Sequence, residues 1–239
     1  VLHSIGGSAM LKHVVRTSRA LHPHKIHTVI GFGAQQIKDY FASSNTADLT
    51  WVLQAEQFGT GHAVQQALPG INIEDSENQV LVLYGDVPLI QTSTLEELLS
   101  QTDSETLALL TVLTENPTGL GRIIRNKAGE VTQIVEERDA SSEQKQINEV
   151  NSGIMCVPAT KLARWLGEIR NDNDQSEYYL TDLIALAAAE NCRINAITLT
   201  NEIEVQGVND KTQLALLERH YQMNKQQQLF VMVLSSVVD

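Results

Sequence analysis

The strongest constraint on the fold is a run of apolar residues at consecutive positions, residues 79–84 (QVLVLY), which ends before a Gly-Asp pair. A short apolar run without alternation is typical of a strand covered on both faces, as in the sheets of α/β proteins. Residues 26–31, 51–53 and 106–113 are further short strand-like runs, and segments with helical periodicity lie between them. We therefore predict a Rossmann-like α/β fold with a mainly parallel sheet and helices on both faces.

The remaining elements follow from the same kinds of pattern. Apolar residues at helical spacing predict a first helix that Ser8 caps and that ends before Pro23. A turn at residues 126–129 (NKAG) predicts a β-hairpin between residues 122–125 and 130–136. The other expected helices are residues 34–41, 62–68, 94–100, 159–169, 181–190 and 210 to about 228, and the other expected strands are residues 149–157 and 194–199.

Composition excludes several classes of protein. The 239 residues are enough to bury a core, and we expect one domain. The formal net charge of −12 argues against a surface that holds nucleic acid or anionic lipid. No apolar run reaches the roughly 18 residues that span a bilayer, and two cysteines are too few for a disulfide framework or a zinc site. We therefore expect a cytoplasmic protein that binds neither nucleic acid nor membranes.

Asp86 stands directly after the clearest strand, and in open α/β sheets ligands bind beyond the carboxyl ends of the strands. A carboxylate at that place, after Gly85, suits a Mg²⁺ ligand beside phosphates because Mg²⁺ prefers hard oxygen donors. An Asp that only caps the following turn gives the same pattern. Residues 204–210 (EVQGVND) similarly indicate a helix start, with Asn209 as the N-cap.

Two glycine-containing loops and two isolated polar residues are further candidates for a ligand site. Residues 54–63 (QAEQFGTGHA) lead into a helix, where free N–H groups can hold a base or a phosphate, although the glycines can also serve tight turns alone. Residues 117–123 (PTGLGRI) either form an ordinary turn or lay backbone against a ligand at Gly121. Glu136 and Asn151 can hydrogen-bond a hydroxylated substrate, and solvated strand ends would look the same.

The order of these segments resembles the N-terminal uridyltransferase domain of the bacterial bifunctional enzyme that makes UDP-N-acetylglucosamine. The resemblance covers nearly the whole chain in eight segments: residues 1–7, 54–63, 83–90 (LYGDVPLI), 117–123, 134–136 (IVE), 149–154 (EVNSGI), 177–182 (EYYLTD) and 204–209. It implies transfer of uridylyl from UTP to N-acetylglucosamine-1-phosphate, giving UDP-N-acetylglucosamine and pyrophosphate for cell-wall precursor synthesis. The full-length family enzyme is also expected to acetylate glucosamine-1-phosphate and to form a homotrimer.

The resemblance also implies a role for each matching position. Mg²⁺ would be held by Asp86 and Asn209, which are also the implied catalytic residues. The nucleotide would be bound by Gln54, Gly59, Thr60, Tyr84, Gly85 and Asp86. The sugar and its phosphate would be bound by Gly121, Glu136, Asn151, Tyr179, Thr181 and Asn209.

The chain departs from the family before Val1, where the family has a strand and a glycine-rich, arginine-containing phosphate loop. We expect residues 1–223 to form the nucleotidyltransferase domain without this loop, and the fragment to be a weak catalyst. We expect residues 224–239 to be a divergent start of the connecting segment, and the C-terminal β-helix acetyltransferase domain to be absent.

Two rival functions remain. One is a sugar-phosphate nucleotidyltransferase that uses dTTP, CTP or glucose-1-phosphate, and the other is a non-catalytic module that binds a nucleotide sugar. A dinucleotide-dependent oxidoreductase is disfavoured because no Gly-x-Gly-x-x-Gly follows a strand.

Overall fold

The computed structural model describes residues 1–235, in which short strands and helices alternate. The strands are β1 (Ser4–Ile5), β2 (Ser8–Ala9), β3 (Ile26–Ile30), β4 (Leu49–Leu53), β5 (Gln79–Val82), β6 (Thr106–Leu113), β7 (Arg122–Arg125), β8 (Val131–Val135), β9 (Glu149–Pro158) and β10 (Arg193–Leu199). The helices are α1 (Met10–Ala20), α2 (Ala34–Phe41), α3 (Thr60–Ala67), α4 (Thr92–Ser100), α5 (Ala159–Leu166), α6 (Asp182–Ala189) and α7 (Lys211–Ser235).

The main sheet has six strands and is organised around β9. The strand order is β10-β6-β9-β7-β8, and β7 pairs with β9 near the start of β9. β5 pairs with the C-terminal half of β9. The β10–β6 pair is parallel, whereas β5, β6 and β7 all run antiparallel to β9. The predicted α/β fold is confirmed, but the sheet is mixed rather than mainly parallel. The β7–β8 hairpin and the central position of β9 cause this difference, because a short turn joins only antiparallel strands.

Four strands lie outside the main sheet, and β1 and β2 among them form a short antiparallel pair. β3 and β4 form a parallel pair of their own, in register from Ile26↔Leu49 to Ile30↔Leu53. Within residues 1–235, β3 pairs only with β4, and β5 pairs only with β9.

The core covers both faces of the main sheet, which explains the apolar residues at consecutive positions in β6. On one face, Leu107 and Leu109 pack against Trp165 of α5 and the apolar side of α6. On the other face, the alternate residues of β6 pack against Leu95 and Leu98 of α4. Leu95 and Leu98 are fully buried, and each such side chain contributes about 2 kcal/mol of transfer free energy.

Both predicted N-caps are wrong. Helix α1 follows Ala9 with no side-chain cap, since Ser8 lies in β2 and the carbonyls of His3 and Val1 accept the N–H groups of Met10 and Leu11 at 3.0 and 3.1 Å.

Helix α7 begins one residue later than expected. The carboxylate of Asp210 accepts the N–H groups of Thr212 and Gln213 at 2.7 and 2.8 Å, so Asp210 is the cap. The side chain of Asn209 is thereby left out of capping. The helix continues to Ser235, beyond the predicted end near residue 228, and residues 236–239 of the predicted divergent segment lie outside the described residues. No helix in the described part of the chain has both the length and the apolar character needed to cross a membrane.

Candidate functional site

A cleft of about 280 Å³ lies where the loops after β4 and β5 meet strands β8 and β9 and the start of α6. Seven of the predicted site residues line it: Thr60, Tyr84, Gly121, Glu136, Asn151, Tyr179 and Thr181. These residues span more than 120 positions of the chain. The fold therefore brings most of the predicted sugar-binding residues together with two of the predicted nucleotide-binding residues.

One wall of the cleft is acidic. The Thr181 hydroxyl donates to Glu136 Oε1 at 2.9 Å, and burial raises the pKa of the Glu136 carboxyl. Just behind this wall, burial and the neighbouring carboxylate of Glu136 raise the pKa of Asp182 to about 6. Gly121 keeps the wall open, because a Cβ atom there would lie 2.8 Å from Ile134 Cγ2 and 3.3 Å from Glu136 Oε2. Carboxylates placed in this way can accept hydrogen bonds from hydroxyl or amide N–H groups of a sugar.

The opposite wall is built by an irregular part of β9. The pairing of β9 with β6 shifts register opposite residues 109–111, and the side chain of Asn151 turns back to accept the Gly153 N–H at 3.0 Å. Gly153 has a φ of +85°, and the Tyr84 ring packs directly on it. Burial, together with the Glu136 carboxylate, raises the pKa of Tyr84 to about 12, so its hydroxyl stays protonated at neutral pH. The backbone N–H of Asn151 donates to Gly121 O at 2.8 Å and joins the two walls.

The loop after β4 connects this cleft to the N-terminus of α3. The Gln54 side chain donates to Gly59 O at 3.1 Å, and Thr60 Oγ1 accepts the Leu180 N–H at 3.1 Å. Gly59 has a φ of +104°, and a Cβ atom there would lie 2.7 Å from Tyr178 O. The loop is therefore held against residues 177–180, and the Gly61 N–H at the start of α3 donates to Tyr178 O at 2.8 Å. Gln54 and Gly59 do not line the cleft itself.

The chain segments that carry Asp86 and Asn209 are adjacent, but neither residue lines the cleft. The backbone of Asp86 accepts the Val208 N–H at 3.1 Å, and a Cβ atom on Gly207 would lie 3.6 Å from Asp86 Oδ2. Among the side chains of residues 1–227, neither of these two forms a hydrogen bond or an ion pair. Gly85 packs against Leu11, since a Cβ atom there would lie 3.2 Å from Leu11 Cδ1.

The donor atoms of Asp86 and Asn209 suit a Mg²⁺ ion that takes only part of its coordination shell from the protein. One carboxylate and one amide oxygen are hard donors, and the described residues hold no cluster of three or more His, Cys, Asp or Glu that could form an all-protein metal cage. Mg²⁺ commonly takes only one or two protein ligands and completes its shell with water and substrate phosphates. The two residues therefore fit a metal ion that binds together with a phosphate ligand.

Three residues of the site were not singled out from the sequence. Gly153 supports the Tyr84 ring, Gln175 Oε1 accepts the Tyr179 hydroxyl at 3.0 Å, and Asp182 lies behind the acidic wall. A glycine inside a strand is a signal for a bulge or a close approach, so Gly153 could have been found. Gln175 and Asp182 acquire their neighbours only through the tertiary fold.

We expect Asp182→Asn to stabilise the protein at neutral pH. The pKa of Asp182 is about 6 in the fold against an ordinary 3.8, so the native state binds the extra proton and stability falls as pH rises from about 4 to 6. Removing the charge should raise the free energy of unfolding by about 1–2 kcal/mol at about pH 7.5, and by nothing near pH 4. Urea unfolding at both pH values measures this.

The control for this prediction is Asp172→Asn, which removes an exposed carboxylate from the same acidic group and should change stability far less. A loss of stability in Asp182→Asn at about pH 7.5 would contradict the prediction. It would mean that the carboxylate is favourable as the first residue of α6, through its interaction with the helix N-terminus.

Comparison with known proteins bears on both the fold and the family. Residues 1–147 match the model of the MobA-like NTP transferase domain. The chain is 54% identical over 222 residues to the bifunctional protein GlmU of Azotobacter vinelandii, covering 93% of this chain and 47% of that protein. It is 51% identical over 229 residues to the bifunctional protein GlmU of Stutzerimonas stutzeri, covering 96% of this chain and 49% of that protein. The chain thus spans about half the length of these curated relatives.

Two solved structures share the fold at low sequence identity. A UDP-glucose pyrophosphorylase complexed with UDP-glucose superposes with a TM-score of 0.73 at 16% identity, covering 93% of this chain and 90% of that chain. A putative glucose-1-phosphate thymidylyltransferase from Bacillus anthracis gives a TM-score of 0.67 at 16% identity, covering 91% and 84%. The expected fold class and the expected resemblance are confirmed. Since the family model matches more than half of the residues of this chain, the chain belongs to the family of MobA-like NTP transferase domains.

Proposed function

We propose that residues 1–223 form a nucleotidyltransferase domain that transfers uridylyl from UTP to N-acetylglucosamine-1-phosphate. The observation that carries this proposal is the shared cleft, in which Thr60 and Tyr84 of the nucleotide loops face Glu136, Asn151 and Thr181. The identity of about one half to proteins named GlmU supports it. A phosphate oxygen of the sugar phosphate attacks the α-phosphorus of UTP, and the bond from that phosphorus to the bridging oxygen breaks to release pyrophosphate.

The residues of the chain act by binding and orienting both substrates. Glu136 accepts hydrogen bonds from the sugar, and its neighbour Thr181 holds the carboxylate in place. Tyr84, protonated at neutral pH, offers a hydroxyl donor between the two substrates. Positioning of this kind converts a reaction between two bound molecules into an effectively unimolecular step. Asp86 and Asn209 would hold Mg²⁺, which would neutralise charge on the phosphates when bound.

We also propose where the domain works and what would accompany it in a longer protein. UDP-N-acetylglucosamine is a cell-wall precursor, and the domain would work in the cytoplasm. In a full-length protein of the length of the GlmU relatives, an acetyltransferase domain and a homotrimeric assembly would accompany it.

Release of pyrophosphate across a panel of substrates tests the proposal. The chain is incubated with Mg²⁺, UTP, CTP or dTTP, and either N-acetylglucosamine-1-phosphate or glucose-1-phosphate, with EDTA as the control. We expect the pair of UTP and N-acetylglucosamine-1-phosphate to give the highest kcat/KM. Faster reaction with glucose-1-phosphate would contradict the sugar assignment. Tight binding of UDP-N-acetylglucosamine without turnover of any pair would instead favour a binding module.

A further inference from the structure

Strand β9 is irregular at the place where it lines the cleft. Asn151 pairs with Thr111 and Met155 pairs with Leu109, so β9 has two more residues than β6 between these register pairs. Residues 152–154 have no register partner in any strand of the described part of the chain. Bulges re-aim side chains and are common beside active sites. The regular ladder is therefore interrupted where the fold builds one wall of the cleft.

The hydroxyl of Ser152 bridges this interruption. It donates to Leu110 O of β6 at 2.8 Å and accepts the Ile154 N–H at 3.2 Å. Leu110 and Ile154 are fully buried, so water does not reach their backbone groups. Within residues 1–227, no other side-chain hydrogen bond joins residues 152–154 to β6. Because the hydroxyl hydrogen is used inside the fold, Ser152 has no donor left for a ligand.

The two neighbours of Ser152 in the sequence face the ligand. Asn151 and Gly153 both line the cleft. A backbone N–H can only donate, so Asn151 turns its Oδ1 atom toward the Gly153 N–H at 3.0 Å. The Asn151 Nδ2 atom makes no hydrogen bond within residues 1–227 and is left to donate to a ligand. The direction of this donor depends on the backbone path through residues 151–153.

The other contacts of this turn hold its ends and not its middle. The bond from the Asn151 N–H to Gly121 O fixes only the start of the turn. The Tyr84 ring covers Gly153 by packing alone. The hydrogen bond from Ser152 to β6 is thus what ties the middle of the turn to the sheet.

We propose that Ser152 is a positioning residue, whose hydroxyl holds the bulge of β9 against β6 and thereby directs Asn151 Nδ2 toward the sugar. This inference rests on the proposed function, because it takes Asn151 as a contact to the sugar. Without the hydroxyl, the turn loses its hydrogen bond to Leu110 O, and the Asn151 donor loses its fixed direction. The loop that carries Thr60 lies on another part of the cleft and keeps its own contacts. Sugar binding should therefore weaken while nucleotide binding stays the same.

Binding of UDP-N-acetylglucosamine and of UDP to the full chain, measured by calorimetry, tests the inference. The ratio of the two dissociation constants reports the contribution of the sugar. Ser152→Ala should weaken UDP-N-acetylglucosamine by about 5- to 10-fold, the contribution of about one hydrogen bond, and should leave UDP within about twofold. Ser152→Thr keeps a hydroxyl on a side chain that suits strands, and it should restore the ratio.

Thr132→Val is the matched control. The β7–β8 hairpin also shifts register, between Ile124 and Arg125, and the Thr132 hydroxyl donates to Ile124 O at 3.2 Å. Thr132 thus bridges a second irregularity in the same way, but it does not line the cleft. Removal of this hydroxyl should leave the affinities for both ligands unchanged, because the two sites share no partner.

The pattern of affinities separates positioning from a general loss of structure. Equal weakening of both ligands in Ser152→Ala, or no weakening of either, would overturn the inference and leave the proposed function standing. Failure of Ser152→Thr to restore the ratio would overturn it as well, since the hydroxyl would then not be the cause. If the unsubstituted chain bound UDP-N-acetylglucosamine no better than UDP, the sugar site of the proposed function and the inference would both be wrong.

A second measurement needs no ligand. Hydrogen exchange of the Ile154 amide, followed by NMR, reports its hydrogen bond to Ser152 directly. We expect the amide to be protected in the unsubstituted chain and in Ser152→Thr, and to exchange at least about 10-fold faster in Ser152→Ala. Fast exchange in the unsubstituted chain would overturn the inference whatever the affinities are, because the bulge would then not be held.

Discussion

Asp86→Asn is expected to lower Mg²⁺-dependent pyrophosphate release by about 10³-fold, since a metal ion that neutralises phosphate charge contributes several kcal/mol to the transition state. The substitution keeps the volume of the side chain and removes only the charge and one oxygen donor. Asp86 is half-buried and has no partner among the described residues, so no ion pair or hydrogen bond of the fold is lost with it. The rate is measured with UTP and N-acetylglucosamine-1-phosphate over a range of Mg²⁺ concentrations.

Asp210→Asn is the matched control for this prediction. It removes the same charge from the residue after Asn209, and asparagine caps a helix about as well as aspartate. We expect its rate to stay within about twofold of the unsubstituted chain, because a surface charge contributes little. Unchanged Mg²⁺ dependence in Asp86→Asn would remove Asp86 from the mechanism. Equal losses in both variants would mean that general negative charge near α7 matters, and not a metal ligand.

Gly153→Ala is expected to lower the free energy of unfolding by about 3 kcal/mol, of which about 1 kcal/mol comes from the left-handed backbone and the rest from overpacking. The φ of Gly153 is +85°, and a Cβ atom there would lie 2.6 Å from Tyr84 Cε2. Because Tyr84 is enclosed in the cleft wall, its ring cannot move aside without disturbing the site. Urea unfolding gives the free energy, and the melting temperature should fall by roughly 10 °C.

Gly129→Ala isolates the backbone contribution. Gly129 has a φ of +83° and nothing within 4 Å of its would-be Cβ atom, so the variant should cost only about 1 kcal/mol. In a Tyr84→Leu background, the cost of Gly153→Ala should fall toward that value, since the clash is gone. A cost of Gly153→Ala equal to that of Gly129→Ala in the native background would show that the Tyr84 contact is not strained.

Local structure was predictable where the apolar pattern is strong. The boundaries of α2 and β6 agree with the sequence pattern, because helical spacing and a continuous apolar run are local signals. Strand direction was not predictable in the same way, since the antiparallel pairing of β9 depends on contacts with distant β5 and β6. The predicted cap of α7 was wrong by one position, because Asn209 and Asp210 are both good capping residues and only the residue at which the helix begins distinguishes them.

Which residues belong to the candidate site was easier to predict from the sequence than how these residues are arranged. Glu136 and Asn151 were candidates from their polar character in apolar surroundings, and Thr181 came from the family resemblance alone. Their meeting in one cleft is a property of the fold. The environment of Asp182 depends on Glu136 and Asp139, which are far away in the chain, and no local pattern encodes it. The assignment of individual residues to uracil, sugar or Mg²⁺ stays a prediction.

The central place of β9 has a consequence for how the chain reaches its fold. Gln79 of β5 pairs with Pro158 of β9, so 79 positions separate the two partners, and the closure of such long loops slows folding. During synthesis β5, β6 and β7 leave the ribosome before the strand that they share, and their edges stay unpaired until β9 follows. β5 and β6 are largely apolar, and unpaired apolar strand edges are the segments most prone to aggregation. The nascent chain is therefore most vulnerable, and most in need of chaperones, before residue 158 has been made.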